Sequence, residues 1–222
     1  MAKIEVKNVS VSYTLHNWRT YSLKYTLLNF FKKKERSIEV HNALKKISFN
    51  LNDGDRLGVL GSNGSGKTTL LKVLAGDIFP TSGAVTISGK VLSIIQLADG
   101  IRMDMTGLEN IVMRYKLHNY SDEEIETLKK KAIEFAELDK FINQPVNTYS
   151  SGMILRLAFG IIINMEPDIL ILDEWILTGD PSFSEKFNEK LEEHVERSKI
   201  LIFATHNEDL LDKYTNRKIS LE

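Results

Sequence analysis

The chain has 222 residues, of which 42% are hydrophobic and 27% charged, enough to bury one sizeable core and not the composition of a disordered polymer. With 29 basic and 30 acidic residues the net charge is −1, so no global field draws the protein to nucleic acid, and no nucleic-acid partner is expected. Cysteine is absent, which excludes disulfides and thiolate chemistry.

The first residues, Met1-Ala2-Lys3-Ile4-Glu5-Val6-Lys7, place charges where a signal peptide needs an apolar run, so secretion is not expected. From Ile4 to Tyr13 apolar and polar residues alternate with the period of a strand, broken around Lys7 and Asn8. A second such strand is predicted at Leu44 to Leu51. The stretch 14–42 between them is longer than a usual connection and reads as an insertion. Inside it Tyr21, Tyr25, Leu28 and Phe31 recur at helical spacing, with Lys24 at the edge of that face and a mostly basic run from Lys32 to Arg36. Two readings stay open: a helix lying at a membrane interface or channel mouth, or an extra helix packed on its own domain with its lysines solvated.

Arg56 to Leu60 is predicted as a short buried strand, Gly61 to Gly66 as a loop and Lys67 to Ala75 as a helix opening from it. Strands at Ala84 to Ser88 and Lys90 to Ile95 meet at Gly89, so the chain is expected to cross back over the core. Gly107 to Ile163 reads as mostly helical, with Ser121 and Glu124 in capping-box spacing. The longest apolar stretch, Leu157 to Leu172, is split by Glu166, Pro167 and Asp168, and neither piece reaches the roughly 18–20 residues of a membrane span. Ile169 to Leu172 then runs into Asp173 and Glu174, and Lys199 to Ala204 into Thr205 and His206. Buried strands that end in polar groups are how a parallel sheet delivers chemistry to its carboxyl edge.

Gly61-Ser62-Asn63-Gly64-Ser65-Gly66-Lys67-Thr68 matches the G-x-x-x-x-G-K-[ST] phosphate loop at every defined position. In such a loop the glycines let backbone N–H groups turn inward around phosphate oxygens, the helix adds its positive end and the lysine reaches the terminal phosphates. Thr68 offers a hydroxyl to Mg²⁺, so the ligand expected is MgATP. Asp173 stands where such enzymes hold Mg²⁺ or its water, and Glu174 is placed to polarise an attacking water. His206 is read either as a structural strand-end residue or as an imidazole beside the γ-phosphate.

The phosphate loop, Gln96, Tyr149-Ser150-Ser151-Gly152-Met153, the Asp173-Glu174 pair, Asp180 and His206 occur in the order seen in ATP-binding-cassette (ABC) ATPases, and the resemblance covers nearly the whole chain. It implies an α/β fold: a P-loop, RecA-like core with an N-terminal antiparallel β subdomain (1–104 and 164–222) and an inserted α-helical signature subdomain (105–163). It implies catalytic roles for Glu174, His206 and Gln96, with Thr68, Gln96 and Asp173 around the metal. Thr69 joins the loop residues in the ATP-binding set, and Tyr13 becomes the aromatic that stacks on adenine, its alternative being a core strand residue. Ser150, Ser151, Gly152 and Met153 would bind the γ-phosphate held by another subunit, and Asp180 would communicate across that dimer. Ser151 and Met153 depart from the common Leu-Ser-Gly-Gly-Gln form, which puts the rate in question more than the mode. One phosphate loop and one signature per chain imply a homodimer.

Further details resemble the polysaccharide-export subgroup, which handles O-antigen and teichoic-acid-like polymers: the signature itself, Leu97-Ala98-Asp99-Gly100-Ile101 leading to Thr106-Gly107-Leu108-Glu109-Asn110, Asp173-Glu174-Trp175 to Gly179-Asp180, and the insertion. That resemblance implies a separate integral membrane permease and a place on the cytoplasmic face of the cell membrane. Some members carry a carbohydrate-binding β-domain after the ATPase, and relatives continue beyond Lys218 to Glu222 through at least one more strand. Another ABC transporter class, a soluble ABC protein acting on ribosomes or DNA, and a P-loop kinase are the rival readings. The absence of sustained heptads weighs against the DNA-repair type, and the signature segment against the kinase.

Overall fold

A computed structural model describes residues 1–15, 39–95, 100–174 and 181–221. Its first layer is an antiparallel sheet in which β1 (Lys3–Leu15) lies between β2 (Glu39–Asn52) and β4 (Ser82–Ser88). The interruption expected near Lys7 and Asn8 is a register shift between Val6 and Val9, where Asn8 takes a left-handed φ of 49°. The insertion is narrower than the sequence suggests. Paired strand continues to Leu15 and resumes at Glu39, with Thr14 opposite Val40, because ladder hydrogen bonds extend a hairpin beyond the point where its apolar alternation fades. Tyr21, Tyr25, Leu28 and Phe31 lie outside the described residues.

The second sheet is parallel, in the order β5 (Val91–Ile94), β6 (Ile169–Asp173), β7 (Ile200–Ala204), β3 (Arg56–Leu60), β8 (Arg217–Ser220). Both of its faces are covered, which explains why β6 and β7 read as unbroken apolar runs. Leu170, Leu172, Leu201 and Phe203 enter a core shared with the helices of 107–162. Ile169, Ile171, Ile200 and Ile202 face the opposite way, toward β1 and α1 (Lys67–Ala75). Gly89, at φ +123°, turns the chain from β4 in one sheet to β5 in the other. The terminal residues Arg217 to Ser220, which the sequence did not mark as a strand, pair with β3 and supply the sheet's edge.

Between β5 and β6 come α2 (Gly107–Leu117), α3 (Asp122–Ala136) and α4 (Ser151–Ile162). The Ser121–Glu124 capping box forms as expected, and a second one, Thr106–Glu109, opens α2. After residue 180 follow α5 (Pro181–Arg197) and α6 (Glu208–Tyr214). Phe159 of α4 lies against Phe187 of α5 with ring centroids 3.8 Å apart, fastening the helical segment to the core. Among the described residues no helix is long and apolar enough to cross a membrane.

Asp168 anchors the amino ends of β5, β6 and β7. Its carboxylate accepts from the Lys90 N–H at 2.9 Å and pairs with the Lys199 ammonium at 2.6 Å. The Lys199 hydrogen bond and then the Lys90 N–H hold this carboxyl below the usual 3.8. A depressed folded-state value means that the anchor stabilises at neutral pH and is lost as pH falls through that value. The urea midpoint of Asp168→Asn is therefore expected to lie below wild type at pH 7, with the gap closing below about pH 4. A gap that stays constant through that range would contradict the anchor.

Candidate functional site

Gly66 takes φ +98° immediately before α1, and an added Cβ would sit 2.3 Å from the Ala43 carbonyl oxygen, so only glycine fits there. No side chain caps α1 and no acidic residue occupies its first turn, which leaves its N–H groups and positive end available to an anion. Gly64, at φ +84°, has nothing among the described residues within 4 Å of an added Cβ. The Lys67 ammonium bends back over the loop, donating to the Gly61 carbonyl at 2.7 Å and the Ser62 carbonyl at 3.0 Å. Ser65 Oγ is buried within the loop and has no hydrogen-bond partner among the described residues. A buried hydroxyl of that kind needs an external group to satisfy it.

The carboxyl ends of β6 and β7 bring three further groups to the edge where β3 delivers the loop. Thr68 Oγ1 donates to Asp173 Oδ2 at 2.6 Å across 105 positions of sequence. Beyond Asp173, the Glu174 N–H donates to the Ala204 carbonyl at 2.7 Å, and the chain then turns with Glu174 at φ 65°. A left-handed glutamate costs conformational energy, and such positions cluster at functional sites. Its Oε1 lies 2.9 Å from His206 Nδ1, and both side chains are mostly exposed.

Among the described residues no group of three or more His, Cys, Asp or Glu could hold a metal ion by itself. Thr68 and Asp173 nonetheless offer two hard oxygen donors side by side, the pattern of a Mg²⁺ site completed by phosphate oxygens and water. Thr69 follows on α1, half-buried.

Tyr13 is 43% exposed, opposite His41 on β2, and is not a core residue. Since the Ala43 carbonyl abuts Gly66, this end of the hairpin stands beside the phosphate loop. His41 was not singled out from the sequence, because the irregular register of β2 hides which of its residues faces Tyr13. Ser150 caps α4, its Oγ accepting from the Met153 N–H at 3.2 Å, while Ser151 and Gly152 are exposed at the helix's amino end. Gln96 and Asp180 lie outside the described residues, as do the other members of 96–99 and 175–180. A cavity of about 1180 Å³ between α3 and α5, lined by Tyr120, Lys131, Pro167, Asp168 and His194 among others, lies at the amino ends of the strands and includes none of these groups.

A parallel sheet with a glycine loop leading from β3 into a helix, and acidic residues at the end of β6, one strand removed in the same sheet, defines a P-loop NTPase fold. Residues 44–177 match the ABC transporter family model, and the chain belongs to that family. It is 38% identical over 205 residues to the teichoic acids export ATP-binding protein TagH of Listeria monocytogenes serotype 4b, covering 92% of this chain and 60% of that protein. Against TagH of Bacillus cereus the match is 35% over 218 residues and 39% of the relative, so the chain spans less than two thirds of the length of these TagH proteins. The O-antigen export system ATP-binding protein RfbE of Yersinia enterocolitica is 36% identical over 227 residues, covering 100% of this chain and 95% of RfbE. Among solved structures, a dimeric post-hydrolysis ATP-binding cassette bound to ADP and Pi is similar in fold, with a TM-score of 0.69 at 24% identity, covering 99% of this chain and 94% of that one.

Proposed function

We propose that the chain binds MgATP and hydrolyses it as the nucleotide-binding subunit of a polysaccharide exporter. The observation that carries the ATPase reading is the meeting, at one sheet edge, of the uncapped α1 terminus and Lys67 with the Thr68–Asp173 and Glu174–His206 pairs. In this reading the loop N–H groups and Lys67 hold the phosphates, and Ser65 Oγ gains the partner it lacks. Thr68 and Asp173 hold Mg²⁺, which neutralises phosphate charge. Glu174 accepts a proton from the attacking water, and His206 orients the Glu174 carboxylate. Gln96 is assigned to the metal and water by family resemblance, and Asp180 to communication between subunits.

The working unit in this proposal is a homodimer. Gly152 supports it: among the described residues a Cβ there would meet only Ser150 Oγ, at 3.9 Å, so none of them requires glycine at this position. A glycine that is sterically optional inside its own subunit, at an exposed helix amino end, suits close approach by a phosphate from outside. Gly152→Ala is expected to keep the melting temperature within about 1–2 °C while lowering ATP turnover at least roughly tenfold. Unchanged turnover would remove this residue from the partner's site.

Teichoic acid and O-antigen export are what the names of TagH and RfbE declare. The similarity across nearly all of RfbE supports the same class of cargo here, moved through a separate membrane permease at the cytoplasmic face of the membrane. ATP, by contacting both subunits only when they are closed, drives closure, and hydrolysis releases it. Affinity capture of the native protein from detergent-solubilised membranes tests this. A multi-helix permease encoded for glycan export is the expected companion, whereas ribosomes or DNA complexes without a membrane subunit would overturn the transport reading.

A further inference from the structure

β2 carries one residue more than β1 where the hairpin passes the phosphate loop. Val11 pairs with Leu44 but Ser12 pairs with Asn42, so Ala43 is the extra residue of a bulge. Bulges re-aim the side chains that follow them. Ser12 and Asn42 share the outer face, where Ser12 Oγ donates to Asn42 Oδ1 at 2.7 Å in an exposed bond. Tyr13 and His41, the next pair, therefore share the other face, the one that carries the buried Val9, Val11 and Leu44. Both are exposed, because the core has ended by that point. Directly opposed side chains of this kind have Cβ atoms roughly 4.5–5.5 Å apart. The Ala43 carbonyl itself abuts Gly66, so the Tyr13–His41 pair lies two positions along β2 from the backbone that touches the phosphate loop.

We propose that His41 is a second nucleoside-contacting residue, which with Tyr13 forms a two-ring platform for the purine of the triphosphate held by the loop. This rests on the nucleotide reading of the phosphate loop and extends it from the phosphates to the base. Stacking against a base is tolerant of which aromatic supplies the π-face, so the imidazole contributes contact area more than a specific hydrogen bond. The bulge at Ala43 is what makes this possible: with regular pairing from Leu44 onward, His41 would be opposite Thr14 and on the outer face.

Binding of MgATP and of magnesium tripolyphosphate, which has no base, is measured on the full chain by calorimetry or competition for wild type, His41→Ala and His41→Phe. His41→Ala is expected to weaken MgATP roughly fivefold to tenfold and to leave tripolyphosphate unchanged, while His41→Phe binds ATP as wild type does. If His41→Ala binds MgATP with wild-type affinity, the inference is wrong. Equal weakening of both ligands also overturns it, because His41 would then act on the loop through Ala43 and Gly66. A wild-type chain that binds neither ligand brings down the nucleotide reading itself, and the His41 assignment with it.

Discussion

Glu174→Gln is expected to lower the steady-state rate of phosphate release by at least about 100-fold while leaving ATP affinity near wild type. The substitution keeps the side chain's size and its ability to accept from His206 but removes the charge that takes a proton from water. Glu174 is fixed independently of that charge. Its backbone N–H donates to Ala204 and its φ of 65° is a property of the β6 turn, so the amide is expected to occupy the carboxylate's place. Since ATP binding closes the proposed dimer and hydrolysis opens it, the variant should also accumulate as an ATP-bound dimer, detectable by light scattering. Unaltered hydrolysis would remove Glu174 from the chemistry. Loss of ATP binding together with turnover would make it a structural residue of the β6 turn instead.

Lys67→Ala acts at the earlier step. A charge-assisted hydrogen bond contributes about 1.5–3 kcal/mol, so removal of the ammonium is expected to weaken MgATP binding by roughly 10–150-fold. Because Lys67 also donates to the Gly61 and Ser62 carbonyls, its removal loosens the loop as well. A melting curve separates the two effects: loosening alone lowers the unfolding temperature without ligand. Wild-type affinity in Lys67→Ala would contradict the phosphate-cradle assignment. The two variants thus divide binding from hydrolysis, the Lys67 change reading the loop and the Glu174 change reading the end of β6.

Local patterns made much of this fold legible. Arg56–Leu60 and Lys67–Ala75 coincide with the elements expected from sequence, because a short apolar run, a glycine loop and a helix whose end is marked by Gly76 are all local signals. Continuous apolar runs likewise announced β6 and β7, since strands covered on both faces need no alternation. Less legible were elements held by distant partners. Arg217–Ser220 is a polar edge strand whose form depends on β3, roughly 160 positions earlier. The early start of β2 at Glu39 depends on pairing with Leu15, and its two irregularities near Lys46 and Ala43 have no period to betray them.

The sequence by itself determined the phosphate loop, the strand ends that carry Asp173, Glu174 and His206, and the capped helix at Ser121, because each rests on residues close along the chain. Only the tertiary structure decided that Thr68 meets Asp173, that Glu174 meets His206 and that Tyr13 pairs with His41 at the end of the hairpin where Ala43 abuts Gly66. The physical reason is the same in all three cases. Strand order, register and bulges set which distant side chains become neighbours, and these follow from the packing of both sheets rather than from any local run of residues.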